Sequence, residues 1–143
     1  MTAVQTPTRH RNRMHWGRIV GLAIALEAML FVTLVPLQTR LDLRAWFVAV
    51  TIGCVLFGYI AGRLAARGLT ARAALHGLLV GVLATIIYLV LCMLGPGGLS
   101  AAVDLYGAPL YVLLNALRIV ACVTGAIRST KGIAHTAKTS TVR

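Results

Sequence analysis

Four long apolar runs decide what this chain can fold into, at 16–37, 45–66, 71–94 and 108–127. Each has about 20 residues, enough for a helix to cross a hydrocarbon core of roughly 30 Å. Lipid offers the backbone no water, so a run of that length must satisfy its own hydrogen bonds as a helix. The expected fold is all-α, an integral membrane four-helix bundle. Composition agrees: of 143 residues, 59% are apolar and 12% charged, with a mean hydropathy of +0.86. A soluble domain of this size cannot hide that much apolar surface.

Residues 1–15 are basic and polar and read as a disordered cytoplasmic arm. The membrane domain is 16–128, and 129–143 is a polar cytoplasmic tail. The first run is longer than a signal-peptide core, and no small-x-small cleavage site follows it. It reads as an uncleaved helix ending near Pro36. Trp46 opens the second run, where an interfacial anchor belongs. Between the second and third runs stands Arg67-Gly68-Leu69-Thr70. Gly68 suits the left-handed residue that ends a helix, and Thr70 is placed to cap the next. Gly95-Pro96-Gly97-Gly98 stops the third helix. Ser100 to Tyr106 reads as a short interfacial helix, and Pro109 fits the first turn of the fourth span. The alternative is a fourth helix starting near Ser100 and kinked at Pro109.

The net charge is +11. On a soluble protein this would suggest nucleic acid. Here the basic residues flank the apolar runs, so they read as topogenic charge, with no nucleic-acid partner. Eleven Lys and Arg lie beside the N-terminus, the second linker and the tail. Only Arg40 and Arg44 lie on the other side. That bias places both termini in the cytoplasm of a bacterial inner-membrane protein, with its basic flanks against anionic lipid headgroups.

Lipid gives helices no hydrophobic reason to associate, so they need close backbone approach and polar contacts. Every span carries small residues for this: Gly17-x-x-x-Gly21 with Ala25 and Ala28, Gly58-x-x-x-Gly62, Gly77-x-x-x-Gly81, and Ala121-x-x-x-Gly125. The reading is packing within one bundle, with helices two and three touching through Gly58, Gly62, Gly77 and Gly81. A homodimer seam, or contact with another membrane subunit, is the alternative use. Residues 58–88 read GYIAGRLAARGLTARAALHGLLVGVLATIIY. This hairpin resembles small four-helix bacterial membrane proteins of a YrzE-like family. The resemblance implies the four-helix architecture and adds no chemistry.

Two charges lie deep in the spans: Glu27 near the middle of the first, Arg118 near the middle of the fourth. A charge at the bilayer centre costs about 2.5–3.5 kcal/mol on insertion scales, so it should face inward and find a partner. The two spans run in opposite directions, and a rise of about 1.5 Å per residue puts both groups at similar depth. They are expected to pair, with helices one and four adjacent. Tyr111, Leu114, Asn115, Ala121, Cys122 and Gly125 share the Arg118 face at helical spacing. Asn115 and His76 complete a candidate polar network. A second reading makes Glu27 a proton or cation carrier. GLAIALEAML faintly resembles helix one of small multidrug transporters, which places a glutamate there.

No enzyme is expected. Glu27, Asp42 and Asp104 are the whole carboxylate set, and none neighbours another. No nucleophile motif or phosphate loop occurs. Cys54, Cys92 and Cys122 form no C-x-x-C and have no histidine at metal spacing, so neither metal nor cofactor is expected.

Overall fold

The computed structural model describes residues 14–69 and 72–140. The expected arm at 1–13, the capping role of Thr70 and the last residues of the tail lie outside them. Five helices follow in order: α1 (Trp16–Gln38), α2 (Leu43–Ala65), α3 (Ala73–Leu94), α4 (Gly98–Tyr106) and α5 (Ala108–Ser140). α1, α2, α3 and the Ala108–Thr130 part of α5 are each long and apolar enough to cross a membrane.

Local chemistry sets the helix ends. Asp42 caps α2, its Oδ1 accepting from the Ala45 N–H at 2.8 Å. Gly68 takes the left-handed conformation after α2. α3 then starts at Ala73, with Arg72 as its N-cap in a left-handed conformation. Gly97 and Gly98 both have positive φ and turn the chain into α4. Gly107, at φ +74°, separates α4 from α5. The chain therefore breaks before Pro109 instead of kinking at it. α5 continues through the polar tail to Ser140, where the sequence offers no apolar period. Its backbone has no local reason to stop at 127, since neither Gly nor Pro occurs in 126–131.

The packing is a diamond. α2 and α3 touch each other and form its short diagonal; α1 and α5 each pack on both. Among the described residues, no Cα of α1 comes within 8 Å of one in α5. The expected adjacency of the first and fourth spans is therefore corrected: they occupy opposite corners. The glycines explain why. A Cβ on Gly62 would overlap the Cys122 carbonyl group of α5, and one on Gly77 would stand 2.6 Å from the same oxygen. Gly81 would meet Ile119 Cα at 2.9 Å, and Gly58 the Arg118 carbonyl at 3.1 Å. Gly125 of α5 returns the contact, with its missing Cβ aimed at the backbone of Tyr59 and Arg63. These glycines do not bring α2 and α3 against each other, as their hairpin spacing suggests. They admit α5 between them.

Gly17 and Gly21 depart further from expectation. Nothing lies within 4 Å of a Cβ built on either. They face outward with Ala25 and Ala28, while Ile19, Ala23, Leu26, Glu27 and Leu30 face in. α1 is held instead by side chains. Arg18 Nη1 donates to the Arg67 carbonyl at 2.8 Å, and Nη2 donates to the Leu64 carbonyl. The Leu64 carbonyl lies in the last turn of α2 and also accepts from the Arg67 N–H at 3.3 Å; Arg67 lies just past the helix end. The outer faces carry large apolar side chains such as Val32, Met93 and Leu94, as a lipid-facing surface should.

The glycine geometry makes a graded prediction. Gly62→Ala and Gly125→Ala should each cost about 1–3 kcal/mol, the usual range for overpacking. Gly17→Ala and Gly21→Ala should leave stability level or slightly raised. Unfolding in detergent measures both, and equal tolerance at all four positions would contradict the α5 seam.

Candidate functional site

The structure joins the two mid-membrane charges across the diamond. Arg118 Nη1 donates to Glu27 Oε1, and both side chains are more than nine-tenths buried. Helical spacing alone aims Arg118 inward. Tyr111, Leu114, Cys122 and Gly125 share its buried face. Glu27 sits among the inward residues of α1, one turn from Ala23 and Leu30. Because the backbones of α1 and α5 stay apart, two long side chains must bridge the gap. The guanidinium, itself buried, also lies over the Tyr88 ring, 5.0 Å from its centroid, which adds a cation–π contact.

On one side of the pair the bundle is closed by the glycine seam. On the other side lies a cavity of about 370 Å³. It runs from Gln38, Pro96 and Gly98 at the end of the bundle down to Glu27 and Arg118. α4 contributes Ala101, Ala102, Leu105 and Tyr106 to its wall. A chain of tilted rings lines it: Tyr88 to Tyr111 at 6.0 Å, and Tyr111 to Tyr106 at 6.5 Å between centroids. Those spacings fall in the range where aromatic pairs attract.

Five buried side-chain polar atoms have no hydrogen-bond partner among the described residues. Four of them belong to residues lining this cavity: Trp46 Nε1, Tyr111 Oη, Asn115 Oδ1 and Arg118 Nε. Leaving such a group unsatisfied costs about 1–3 kcal/mol, more if charged, so the cluster needs a reason. The fifth is His76 Nε2, and His76 does not line this cavity. The other ring nitrogen of His76, Nδ1, lies 3.0 Å from the Arg72 carbonyl. Of the candidate network, Asn115 therefore joins the pair's surroundings and His76 does not. Asn115 Nδ2 donates to the Tyr111 carbonyl at 2.9 Å.

Trp46 differs from its expected interfacial role. It is 6% exposed and turned into the cavity wall. Its position at the start of a span signalled an anchor; only the inward rotation of α2 shows otherwise. Tyr88 follows Gly77, Gly81 and Ala84 at helical spacing, but its place against Arg118 carries no sequence signal. Among the described residues, no three His, Cys, Asp or Glu side chains gather at metal-binding range.

Fold and composition define a multi-pass membrane protein. No family model, curated protein or solved structure matches the chain.

Thiol chemistry separates the open half from the closed one. Cys92 and Cys54 line the cavity, the first partly exposed and the second buried, whereas Cys122 is fully buried in the glycine seam. With N-ethylmaleimide on folded protein in detergent, Cys92 should react first, Cys54 more slowly, and Cys122 after unfolding. Mass spectrometry of the adducts reads the order. Modification of Cys122 at the rate of Cys92 would contradict it.

Proposed function

We propose that this chain is a non-enzymatic multi-pass protein of the bacterial inner membrane, a structural or accessory subunit, with Glu27 and Arg118 clamping its bundle. The observation that carries this reading is the closed, buried pair between helices whose backbones stay apart. A carboxylate whose oxygen is already bound by a buried guanidinium is occupied, which suits a lock better than a carrier. Breaking a buried pair by removing one partner costs about 3–5 kcal/mol in proteins generally, whereas removing both can be nearly neutral. Glu27→Gln and Arg118→Gln should therefore each lower stability, and the double variant should recover most of the loss. Unfolding in detergent gives the three values. Additive losses in the double variant would remove the clamp.

A second reading, a small proton- or cation-coupled transporter using Glu27, is favoured by the cavity that reaches that residue from one end. It expects Glu27→Gln to fold normally and to lose a proton-linked flux in liposomes.

The charge bias supports cytoplasmic termini, with the α2–α3 turn on the same side and α4 in the periplasm. The basic flanks would then rest on anionic headgroups. The outward small-residue face of α1 suits a second copy or another membrane subunit. In a cysteine-free background, an impermeant maleimide on intact cells should label Ser100→Cys and spare Arg67→Cys. The reverse pattern would invert the topology.

A further inference from the structure

The clamp explains one hydrogen bond of Arg118 and leaves the rest of the cavity floor unexplained. Trp46, Tyr111 and Arg118 are each more than nine-tenths buried, and each brings an unpartnered polar atom to the wall of one cavity. The chemistry of these atoms is one-sided. Indole Nε1 and guanidinium Nε only donate, and a phenol donates one proton. Asn115 Oδ1 is the one atom of the four that can only accept; the Tyr111 phenol can do either. Such a set matches a ligand that offers oxygen acceptors.

Charge narrows the class. Glu27 and Arg118 neutralise each other at the inner end, so the site carries no net charge to hold an ion. An anion would sit beside the Glu27 carboxylate. A cation would compete with Arg118 for both Glu27 and the Tyr88 face. The remaining walls are apolar or aromatic, with Leu30, Val50 and Leu114 beside the tyrosine rings. The volume of about 370 Å³ falls within the range of small-molecule sites.

We propose that the cavity between Trp46, Tyr88, Tyr111 and the Glu27–Arg118 pair binds a flat, neutral, mostly apolar small molecule through a carbonyl oxygen. The rings lie against its faces, and the unpartnered donors along the wall, Tyr111 Oη first among them, bind its oxygen. Such a molecule dissolves in the bilayer and reaches the site at the α4 end of the bundle. This goes beyond the clamp, which requires no ligand.

Fluorenone is a suitable probe: a flat neutral ketone that does not alkylate thiols. Fluorene has the same ring skeleton without the oxygen. Titration calorimetry on the full chain in nanodiscs, corrected against empty nanodiscs, should give saturable binding of fluorenone. Fluorene should bind about tenfold more weakly, the scale of one good hydrogen bond. Tyr111→Phe keeps the ring and removes the donor; it should weaken fluorenone severalfold and leave fluorene unchanged. Ala102→Trp fills the cavity from α4 and should abolish binding of both. In a Trp16→Phe background, Trp46 fluorescence should be quenched by fluorenone with the same saturation. Equal affinity for the two probes would mean an apolar void without recognition and would overturn the proposal. So would the absence of saturable binding, or tighter binding of tetraphenylphosphonium than of fluorenone. A loss of the Glu27–Arg118 coupling with fluorenone binding intact would sink the clamp and keep the site.

Discussion

Helices in lipid gain nothing by hiding one apolar face from another, because lipid tails are as apolar as leucine. What holds them is attraction at contact range, which falls away over a fraction of an ångström. In this bundle the closest contact is concentrated on α5. Its backbone at Arg118, Ile119 and Cys122 lies against Gly58, Gly62, Gly77 and Gly81, and Gly125 lies against the backbone of α2. A Cβ would collide at Gly62, Gly77, Gly81 and Gly125 and would be tight at Gly58. The wedge of α5 between α2 and α3 is the arrangement on which the others depend.

Two consequences follow from that wedge. It fixes the rotation of α5, and Arg118 shares its inward face with Cys122 one turn away. The guanidinium therefore points along the long diagonal toward α1. The wedge also ends near Arg118. Beyond it, α2 offers Gly53, but that glycine faces Leu30 and Leu34 of α1. The remaining positions at that level carry Trp46, Tyr88, Tyr106 and Tyr111, which hold the helices apart. One half of the bundle closes on glycine and the other opens around rings. The charged pair sits where the two halves meet.

The sequence made some of this readable and hid the rest for physical reasons. Span number and type were legible because lipid leaves the backbone a single solution. The depth match of Glu27 and Arg118 was legible because helical rise is fixed and successive spans reverse direction. Rotation about an axis is legible only where a helix has one clear face, as Arg118 does. Small-residue motifs mark a face that permits close approach and do not name what approaches it. Gly58 to Gly81 thus read as a hairpin contact and proved to receive α5. Gly17 and Gly21 carry the same motif and face outward. Trp46 was misleading because an interfacial anchor and a buried donor occupy the same place in a sequence. The unpartnered polar atoms of α2 and α5 have no sequence signal at all, since they exist only once the helices pack around the cavity.

α1 is the helix that the glycine rule serves least. Neither of its glycines touches another helix, so its packing depends on leucines, on Arg18 and on Glu27. Arg18 ties one end of it to the last carbonyls of α2, and Glu27 ties its middle to the opposite corner. Polar contacts between membrane helices are worth about 1–2 kcal/mol in model peptides, and less on average in a folded membrane protein. That is modest beside a continuous backbone seam. The same helix supplies Glu27, Leu30 and Leu34 to the cavity. The least closely packed span is therefore also a wall of the cavity, and the carboxylate that secures it is part of the cavity's floor. Any group that alters the Glu27–Arg118 contact acts on the lock and on the wall together, because one side chain serves both.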